Sequence, residues 1–422
     1  MYKSQILNPK SLIQNPQSKI SIRYLPIISE TESKIEMEKI GVDPVGISLM
    51  SNKLLHLNLK IENLTPPQAN ILKQEFLSVG GEAAVPRGVI TCDIDNADAI
   101  LSGTEKQFRH VIEKLNIQPF GLEEIGNRIK NVIDNIHKKE FMLKCKNKDI
   151  VFGRKTLVMG VLNITPDSFS DGGLYIKKED AVKRAMEMID DGADIIDIGG
   201  ESSRPGSKPV SLKDELDRVV PVIKEIARNI DVPISIDTTK AEVARHAIEN
   251  GADIVNDISA FRFDKDMTAV CAKHDMPVIL MHMRGTPQTM QDNLRYDDLM
   301  SEIFCYLLER IAFAKDAGIK PEKIMIDPGI GFGKSAEDNL KIINRLEEFK
   351  GFGLPIVIGT SKKSFIGKTL NLDVDDRLEG TAATVAVSIL KGANIIRVHD
   401  VKEMKRVVDM ADAIRNSSEF RI

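Results

Sequence analysis

The feature that most constrains the fold is a repeated unit in the C-terminal two thirds of the chain. From Thr156 onward, a short apolar run is followed by a polar turn, an amphipathic segment and another apolar run. The apolar runs are Leu157–Leu162, Ile195–Ile198, Ile234–Ile236, Ile254–Val255, Val278–Met281, Ile324–Ile326, Ile356–Ile358 and Ile395–Val398. Continuous apolar strands that alternate with helices indicate a parallel sheet covered on both faces.

Helices are predicted between most of these runs. They are Ala181–Ile189, Leu212–Ala227, Ala241–Glu249, Leu299–Lys315, Asn339–Phe349, Thr381–Leu390 and Lys402–Ile414. Three of them are followed by near-copies of one phrase, Gly-Ala-Asp at 192–194 and 251–253 and Gly-Ala-Asn at 392–394. Glycine at such a position is typical of a helix end, because it adopts a left-handed conformation without steric cost.

The repeat predicts a closed (β/α)₈ barrel, because eight strand–helix units in roughly 260 residues match that fold. An open doubly wound sheet is the alternative. Such a sheet usually carries a glycine-rich phosphate loop after its first strand. Here the first strand instead ends in Asn163-Ile164-Thr165-Pro166-Asp167, which favours the barrel.

The N-terminal region has a different texture, and we predict three segments in the chain. Residues 1–30 are rich in Asn, Gln, Ser and Lys and are expected to be frayed. Residues 31–146 are predicted to form a small α/β domain of unknown role, and residues 147–422 the barrel. The elements expected in the small domain are strands at Lys53–Glu62 and Ala97–Leu101, a helix from Pro66 to Val79, and helices at Lys106–Leu115 and Leu122–Ile136.

Charge and composition exclude several classes of partner. The net charge of -4 and the pI of about 6.1 do not favour binding to nucleic acid or to an anionic membrane surface.

The four cysteines are scattered without metal-ligand spacing. The polar N-terminus lacks the apolar core of a signal peptide, and no apolar run reaches membrane-spanning length. We therefore expect a cytoplasmic protein.

Polar residues follow nearly every predicted strand. They are Asn163, Asp197, Asp237, Asn256, His282, Asp327, Ser361, Lys362, Lys363, Arg397 and His399. In a (β/α)₈ barrel all strand ends of this kind meet at one rim, the face that carries the active site. An isolated Asp at such a position is often only the cap of the next helix, but the whole set predicts a binding site.

The residue types at the rim suggest two tasks. Asp237, Asn256, Asp327 and Lys363 offer hydrogen-bond donors and acceptors, which suit a flat heterocycle with amino and carbonyl edges. Arg397 and His399 are two residues apart on one strand, so their side chains point the same way.

A cationic pair of this kind suits a diphosphate. Asn163 lies on the neighbouring strand once the barrel closes. It could help to hold the magnesium that accompanies a diphosphate, because Mg²⁺ binds only a few protein oxygens when substrate phosphates are also ligands. Alternatively, His399 is a structural histidine. The loops at 165–173 and 199–206 are long for this fold and are predicted to cover the site.

Eight motifs together resemble those of the dihydropteroate synthase family, in the family's order and over nearly all of residues 150–415. They are MGVLNITPDSFSDGG (159–173), DIGGESSRPG (197–206), SIDTTK (235–240), NDIS (256–259), MHMRGTP (281–287), DPGIGFGK (327–334), GTSKKS (359–364) and RVHD (397–400). One motif alone would be moderate support, but the ordered set is specific.

The resemblance implies a reaction and residue roles. Members of the family join 6-hydroxymethyl-7,8-dihydropterin diphosphate to 4-aminobenzoate and release diphosphate in folate synthesis. Asn163 would contact Mg²⁺, and Arg397 and His399 would hold the diphosphate. The pterin would be held by Asp237, Asn256, Asp327 and Lys363. The aminobenzoate site would be shaped by Ser203, Arg204, Phe332 and Ser361. Asp171 would lie on the first covering loop, and the family suggests a homodimer.

The sequence departs from the family pattern at three places. Ser203 stands where Thr is common, Lys362 where Arg is common, and the N-terminal region precedes the usual start. Two other functions remain open: a methyltransferase that uses methyltetrahydrofolate and a corrinoid protein, and a non-catalytic pterin-binding protein. For the synthase we expect a dissociative substitution, with Asp237 or Asp171 stabilising a cationic pterin.

Overall fold

A computed structural model of the protein describes residues 22–27, 29–145, 149–164, 178–203, 206–292 and 294–417. The chain divides into two compact units, Met1–Gly126 and Asn127–Ile422. Within the described ranges, every helix is too short or too polar to cross a membrane.

The first unit is a small α/β unit, as the sequence predicts. Its antiparallel sheet has the strand order β1-β3-β2, with β1 at His56–Leu64, β2 at Glu82–Ala84 and β3 at Ala97–Thr104. Its helices are α1 (Glu30–Lys39), α2 (Pro44–Met50), α3 (Pro66–Ser78), α4 (Gly88–Thr91) and α5 (Glu105–Leu115). Helix α6 (Leu122–Ile136) crosses into the second unit. The sequence did not predict α1, α2, β2 or α4, which are short or lack a clear period.

The second unit contains a closed barrel of eight parallel strands. After a hairpin formed by β4 (Phe141–Lys144) and β5 (Asp149–Phe152), the barrel strands are β6 (Leu157–Asn163), β7 (Ile195–Gly199), β8 (Ile234–Asp237), β9 (Ile254–Asp257), β10 (Val278–Met281), β11 (Ile324–Asp327), β12 (Val357–Ile358) and β13 (Ile395–Val398). Their order is β11-β10-β9-β8-β7-β6-β13-β12, and a parallel bridge between Ile326 and Ile356 closes the ring. The predicted (β/α)₈ barrel is confirmed.

Helices surround the barrel. They are α7 (Lys178–Asp190), α8 (Leu212–Asn229), α9 (Ala241–Glu249), α10 (Met267–Lys273), α11 (Leu299–Asp316), α12 (Ala336–Asn344), α13 (Ser364–Leu370), α14 (Leu378–Leu390) and α15 (Val401–Asn416). The glycines of the repeated phrase have positive φ, +103° at Gly192, +116° at Gly251 and +104° at Gly392. They turn the chain from the end of a helix into the next strand, as predicted.

The β4–β5 hairpin closes the amino-terminal end of the barrel. Leu143 and Phe152 are almost fully buried against inward side chains near the strand starts, such as Leu157, Ile195 and Met325. Burial of each large apolar side chain contributes about 1.5–3 kcal/mol. The hairpin is therefore part of the barrel core.

The compact unit that contains the barrel begins at Asn127, earlier than the predicted boundary at residue 147. Within this unit, Asn135 Nδ2 donates to the carbonyl of Gly351 over 2.9 Å. Lys138 Nζ donates to the carbonyl of Gly353, also over 2.9 Å. These contacts join residues more than 200 positions apart, so local sequence patterns do not reveal them.

Candidate active site

The candidate site is a polar layer inside the carboxyl end of the barrel. Alternate side chains of a strand point inward, so the residue two places after an apolar inward one is also inward. Asp197 thus follows Ile195, Asn256 follows Ile254, and the pattern repeats on the other strands. The polar layer comprises Asp197, Asp237, Asn256, Asp327 and Arg397.

The centre of this layer is Arg397, which bridges two carboxylates. Its Nε donates to Asp197 Oδ2 over 2.6 Å, and one terminal nitrogen donates to Asp237 Oδ2 over 2.7 Å. Asn256 Nδ2 donates to the same Asp197 oxygen over 3.2 Å. Although burial opposes it, the two carboxylates raise the pKa of Arg397, so the guanidinium is a permanent cation.

Two carboxylates of this layer, Asp237 and Asp327, are harder to ionise than usual. Burial raises the pKa of Asp237 to about 7, the Arg397 cation opposes that rise, and the neighbouring Asp197 adds to it. Burial also raises the pKa of Asp327, against the nearby Lys363. Asp327 Oδ1 accepts the backbone N–H of Gly329 over 2.6 Å. The alternative interpretation of these residues as helix caps does not hold, because no capping bond from Asp237 or Asp327 to α9 or α12 occurs in the described part of the chain.

Lys363 extends towards the mouth of the same layer. Its ammonium donates to the carbonyl of Ile330 and lies 4.4 Å from the centre of the Phe332 ring. Burial lowers the pKa of Lys363 to about 8, and Asp327 opposes this shift. The ammonium is thus a donor that can be lost at moderately alkaline pH.

Ser361 and His399 meet just beyond the ends of the neighbouring strands β12 and β13. Ser361 Oγ accepts the backbone N–H of His399 over 3.2 Å and lies 3.1 Å from His399 Nδ1. Lys362, between Ser361 and Lys363, has a positive φ of +56° and an ion pair of 2.8 Å with Asp400. The strand ends thus bring the predicted diphosphate residues and one predicted aminobenzoate residue together.

A cavity of about 290 Å³ opens beside Asp237. Ser203 lines it, and the other walls come from Glu201, Ser202, Pro209, Glu215, Thr238, Thr239, Lys240, Ile258, Phe263, Thr286, Pro287 and Gln288. Ser203 and Asp237 therefore line the same cavity. Asp171 and Arg204 lie outside the described residues.

Asn163 is the predicted magnesium ligand. A methyl carbon placed on Gly199 would lie 3.6 Å from Asn163 Oδ1 and 3.8 Å from Asp237 Oδ2, so the two oxygens flank one gap. Among the residues that the structure describes, no cluster of three His, Cys, Asp or Glu side chains could hold a metal. One neutral amide oxygen fits Mg²⁺ only where substrate phosphates and water complete its ligands.

The sequence did not predict a role for two residues of the site region. Asp197 is fully buried and orients Arg397, although the sequence marked it only as a strand end. His282, expected at the rim, is instead buried with its Nδ1 2.8 Å from Lys334 Nζ. The alternation of inward residues along β7 could have assigned Asp197, but no local signal pairs His282 with Lys334.

Comparisons with known proteins agree with this geometry. Residues 159–399 match the family model described as pterin binding enzyme. The dihydropteroate synthase of Clostridium beijerinckii is 52% identical over 273 residues, which cover 64% of this chain and 99% of that protein. The solved structure of Xanthomonas albilineans dihydropteroate synthase with 4-aminobenzoic acid is 38% identical, with a TM-score of 0.62, and the match covers 65% of this chain and 98% of that one.

One relative also matches the N-terminal unit. A probable bifunctional folylpolyglutamate synthase/dihydropteroate synthase of Halobacterium salinarum is 40% identical over 393 residues. The match covers 92% of this chain and 46% of that protein. A match of that length extends well beyond the barrel.

Proposed function

The chain belongs to the dihydropteroate synthases of the pterin-binding enzyme family, and we propose that it condenses 6-hydroxymethyl-7,8-dihydropterin diphosphate with 4-aminobenzoate. The products are 7,8-dihydropteroate and diphosphate, so the chain is a transferase. The observation that carries this assignment is the buried polar layer around Arg397, with Lys363 and Ser361 at its mouth.

The polar layer suits the pterin ring. A carboxylate such as Asp237 or Asp327 can accept two N–H groups from an amino-pyrimidinone edge, and the Asn256 amide can serve either edge. Each such charge-assisted bond contributes about 1.5–3 kcal/mol. Lys363 donates to a ring carbonyl or nitrogen. These four residues bind and orient the pterin before any bond changes.

Arg397 at the centre of the layer and His399 beside Ser361 suit the leaving group. Arg397 and His399 offer donors to the diphosphate, and Arg397 keeps its charge at every physiological pH. Mg²⁺ bound to the diphosphate would supply further charge neutralisation, with Asn163 as its protein ligand. Donors already in position for the developing charge stabilise the transition state more than the ground state.

The bond changes follow from these positions. The C–O bond between the exocyclic pterin carbon and the diphosphate breaks, and the diphosphate leaves with the electron pair. The ionised Asp237 stabilises the positive charge that the dihydropterin shares. The amine nitrogen of 4-aminobenzoate, held beside Ser203, Phe332 and Ser361, then forms the C–N bond and loses a proton. We infer a dissociative order, in which C–O cleavage precedes attack.

The direct test is turnover by the purified protein with dihydropterin diphosphate and Mg²⁺, with and without 4-aminobenzoate. We expect dihydropteroate and diphosphate in equal amounts, and losses of about 10²–10³ in kcat/KM for Lys363→Ala and Arg397→Ala. Pterin binding without any release of diphosphate would indicate a binding protein instead. Methyl transfer from a reduced folate to a corrinoid would indicate the methyltransferase.

The order of bond changes has its own test. In the dissociative order, the rate of C–O cleavage in a single turnover does not depend on the concentration of 4-aminobenzoate. A cleavage rate that rises in strict proportion to the amine would contradict that order and leave the overall reaction unchanged.

Association of two copies through the barrel helices is part of the proposal. Apolar side chains on α14 and α15 are exposed, among them Leu390 at 45%, Met410 at 63% and Ile414 at 51%. Such exposed apolar side chains favour association. Sedimentation equilibrium should give twice the chain mass, and Met410→Glu should lower that value. We also assign the protein to the cytoplasm, which cell fractionation would test.

A further inference from the structure

We propose that Lys334 acts as a built-in cation that shapes the loop between β11 and α12, and through that loop positions Phe332 for the amine. The inference rests on the proposed function, because it names a positioning residue for that reaction. Lys334 does not itself face the polar layer. Its role is to hold the backbone on which other site residues depend.

The loop folds back on itself through three glycines. Gly329, Gly331 and Gly333 have positive φ values of +73°, +83° and +69°. A side chain on Gly329 would place its Cβ 1.9 Å from the carbonyl oxygen of His282, so this contact admits only glycine. The glycines therefore allow the loop carbonyls to converge on a single point.

The ammonium of Lys334 occupies that point. Lys334 is only 3% exposed, and its Nζ lies 2.9 Å from the carbonyl oxygen of Gly329 and 3.1 Å from that of Phe332. It also lies 3.3 Å from the carbonyl oxygen of His282 and 2.8 Å from His282 Nδ1. In the described part of the chain, no carboxylate forms a salt bridge with it. Neutral acceptors surround it as they would surround a small bound cation.

Burial disfavours the charged form of both side chains in the cage, so the acceptors around Lys334 are what favour its ammonium. Burial lowers the pKa of His282 well below its usual value, and the adjacent Lys334 lowers it further, so the ring is neutral. Its Nδ1 accepts from Lys334, because an ammonium can only donate. Burial also lowers the pKa of Lys334 well below its usual value, while Asp327 opposes that shift. Removal of a buried donor that has several acceptors destabilises a protein more than removal of an exposed donor, because the buried acceptors are left unpaired.

The loop that Lys334 holds, between β11 and α12, contacts the site through its middle residues. Lys334 holds the carbonyls of Gly329 and Phe332, and the Ile330 carbonyl between them accepts from Lys363. The Phe332 ring lies 4.4 Å from the Lys363 ammonium. Asp327 accepts the Gly329 N–H of this loop, but its backbone is held by the ladder between β10 and β11. The other pterin residues come from outside the loop, because Asp237 ends β8, Asn256 lies on β9 and Lys363 follows β12. Loss of the cage should therefore disturb the amine side more than the pterin side.

The first test compares Lys334→Met with Lys341→Ala, an exposed lysine on α12. Methionine fills the volume without the charge, so the variant is expected to fold. We expect the KM for 4-aminobenzoate to rise about tenfold while the Kd for dihydropterin diphosphate changes less than about threefold. Lys341→Ala should match the wild type. Unchanged constants in a folded Lys334→Met protein would overturn the inference, as would equal losses in both constants together with a lower Tm.

The second test is chemical rescue of Lys334→Ala, which leaves space for a small amine. Propylammonium should lower the KM for 4-aminobenzoate of this variant but not of Lys334→Met, whose side chain fills the cage. Equal effects on both variants would contradict a specific cation site. If Lys334→Ala does not fold without the amine, recovery of its thermal transition by propylammonium, with none by propanol, supports the cage, and no recovery by either counts against it.

These measurements separate the inference from the proposed function. Turnover by the wild-type protein tests the function alone. If the wild type binds pterin and 4-aminobenzoate without turnover, the function is wrong, and the ratio of 4-aminobenzoate affinities between Lys334→Met and the wild type still tests the cage by equilibrium binding.

Discussion

At the scale of single residues, the site sets two ionisations close together. Burial raises the pKa of Asp237 to about 7 and lowers that of Lys363 to about 8. Arg397 opposes the rise at Asp237 and adds to the fall at Lys363. One cation thus keeps the neighbouring acceptor charged and makes the neighbouring donor easier to neutralise.

The pH dependence of kcat/KM should consequently be bell-shaped. Asp237 must be ionised to accept pterin N–H groups, and its raised pKa puts the acidic limb near pH 7. Lys363 must be protonated to donate, and its lowered pKa puts the alkaline limb near pH 8. Initial rates at low substrate between pH 5 and 10 measure both limbs. Lys363→Arg should move only the alkaline limb upward, and an unchanged limb in that variant would assign it to another group.

Removal of the central cation should act on both affinity and ionisation. Arg397→Ala leaves Asp197 and Asp237 without the guanidinium between them, so the pKa of Asp237 should rise above 7. We expect the acidic limb of pterin binding to move to higher pH. Fluorescence titration of pterin at several pH values provides the measurement, with the exposed Arg406→Ala on α15 as control. An acidic limb that stays in place would mean that Asp237 is not the group observed.

At the scale of elements, a partly buried ionic brace ties the Ser203 loop to the barrel. Lys240, at the start of α9, bridges Glu201 of the loop and the fully buried Glu215 of α8. Thr238 Oγ1 donates to the same Glu215 over 2.7 Å, and the Val210 backbone N–H donates to Glu201 over 3.3 Å. The brace thus fixes both ends of the loop that carries Ser203.

Breaking this brace should be costly. Lys240→Met leaves Glu215 as a buried, uncompensated anion, which destabilises by about 3 kcal/mol. The free energy of unfolding from urea denaturation measures the effect. The double variant Lys240→Met with Glu215→Gln should recover most of the loss, because the buried charge is gone. Equal stability of the single and double variants would mean that Glu215 is not ionised in the folded protein.

At the scale of the whole molecule, the barrel depends on chain that precedes its first strand. The hairpin supplies Leu143, Cys145 and Phe152 to the core at the amino-terminal end of the barrel. Burial also raises the pKa of the Cys145 thiol to about 12, so this side chain packs as a neutral group.

The Halobacterium relative matches 92% of this chain, whereas the Clostridium match covers 64%. The barrel is therefore common to both relatives.

Shortened chains should separate these contributions. We expect a chain that starts at Asn127 to fold and to retain activity, because it keeps the whole second unit. A chain that starts at Gly153 lacks both hairpin strands and should lose about 5 kcal/mol of apolar burial. Calorimetry and turnover of both proteins measure this. Equal Tm values would show that the hairpin is dispensable, and an inactive Asn127 chain would indicate that the first unit takes part in the reaction.

Features of this protein that depend on local contacts were predictable from the sequence, and features that depend on long-range contacts were not. The sequence by itself determined the eight strands, most of the helices and the rim that holds Asp237, Asn256 and Asp327, because these depend on local periodicity and on strand ends. Helices α10 and α13 were missed because each has seven residues, too few for a clear period.

Only the tertiary structure decided the rest. It paired Arg397 with Asp197, 200 positions away, and enclosed Lys334 beside His282. A buried charge is stable only with specific partners, and those partners come from distant strands and loops. Residue type and spacing predict a polar rim, but the closed barrel determines which side chains of that rim are in contact.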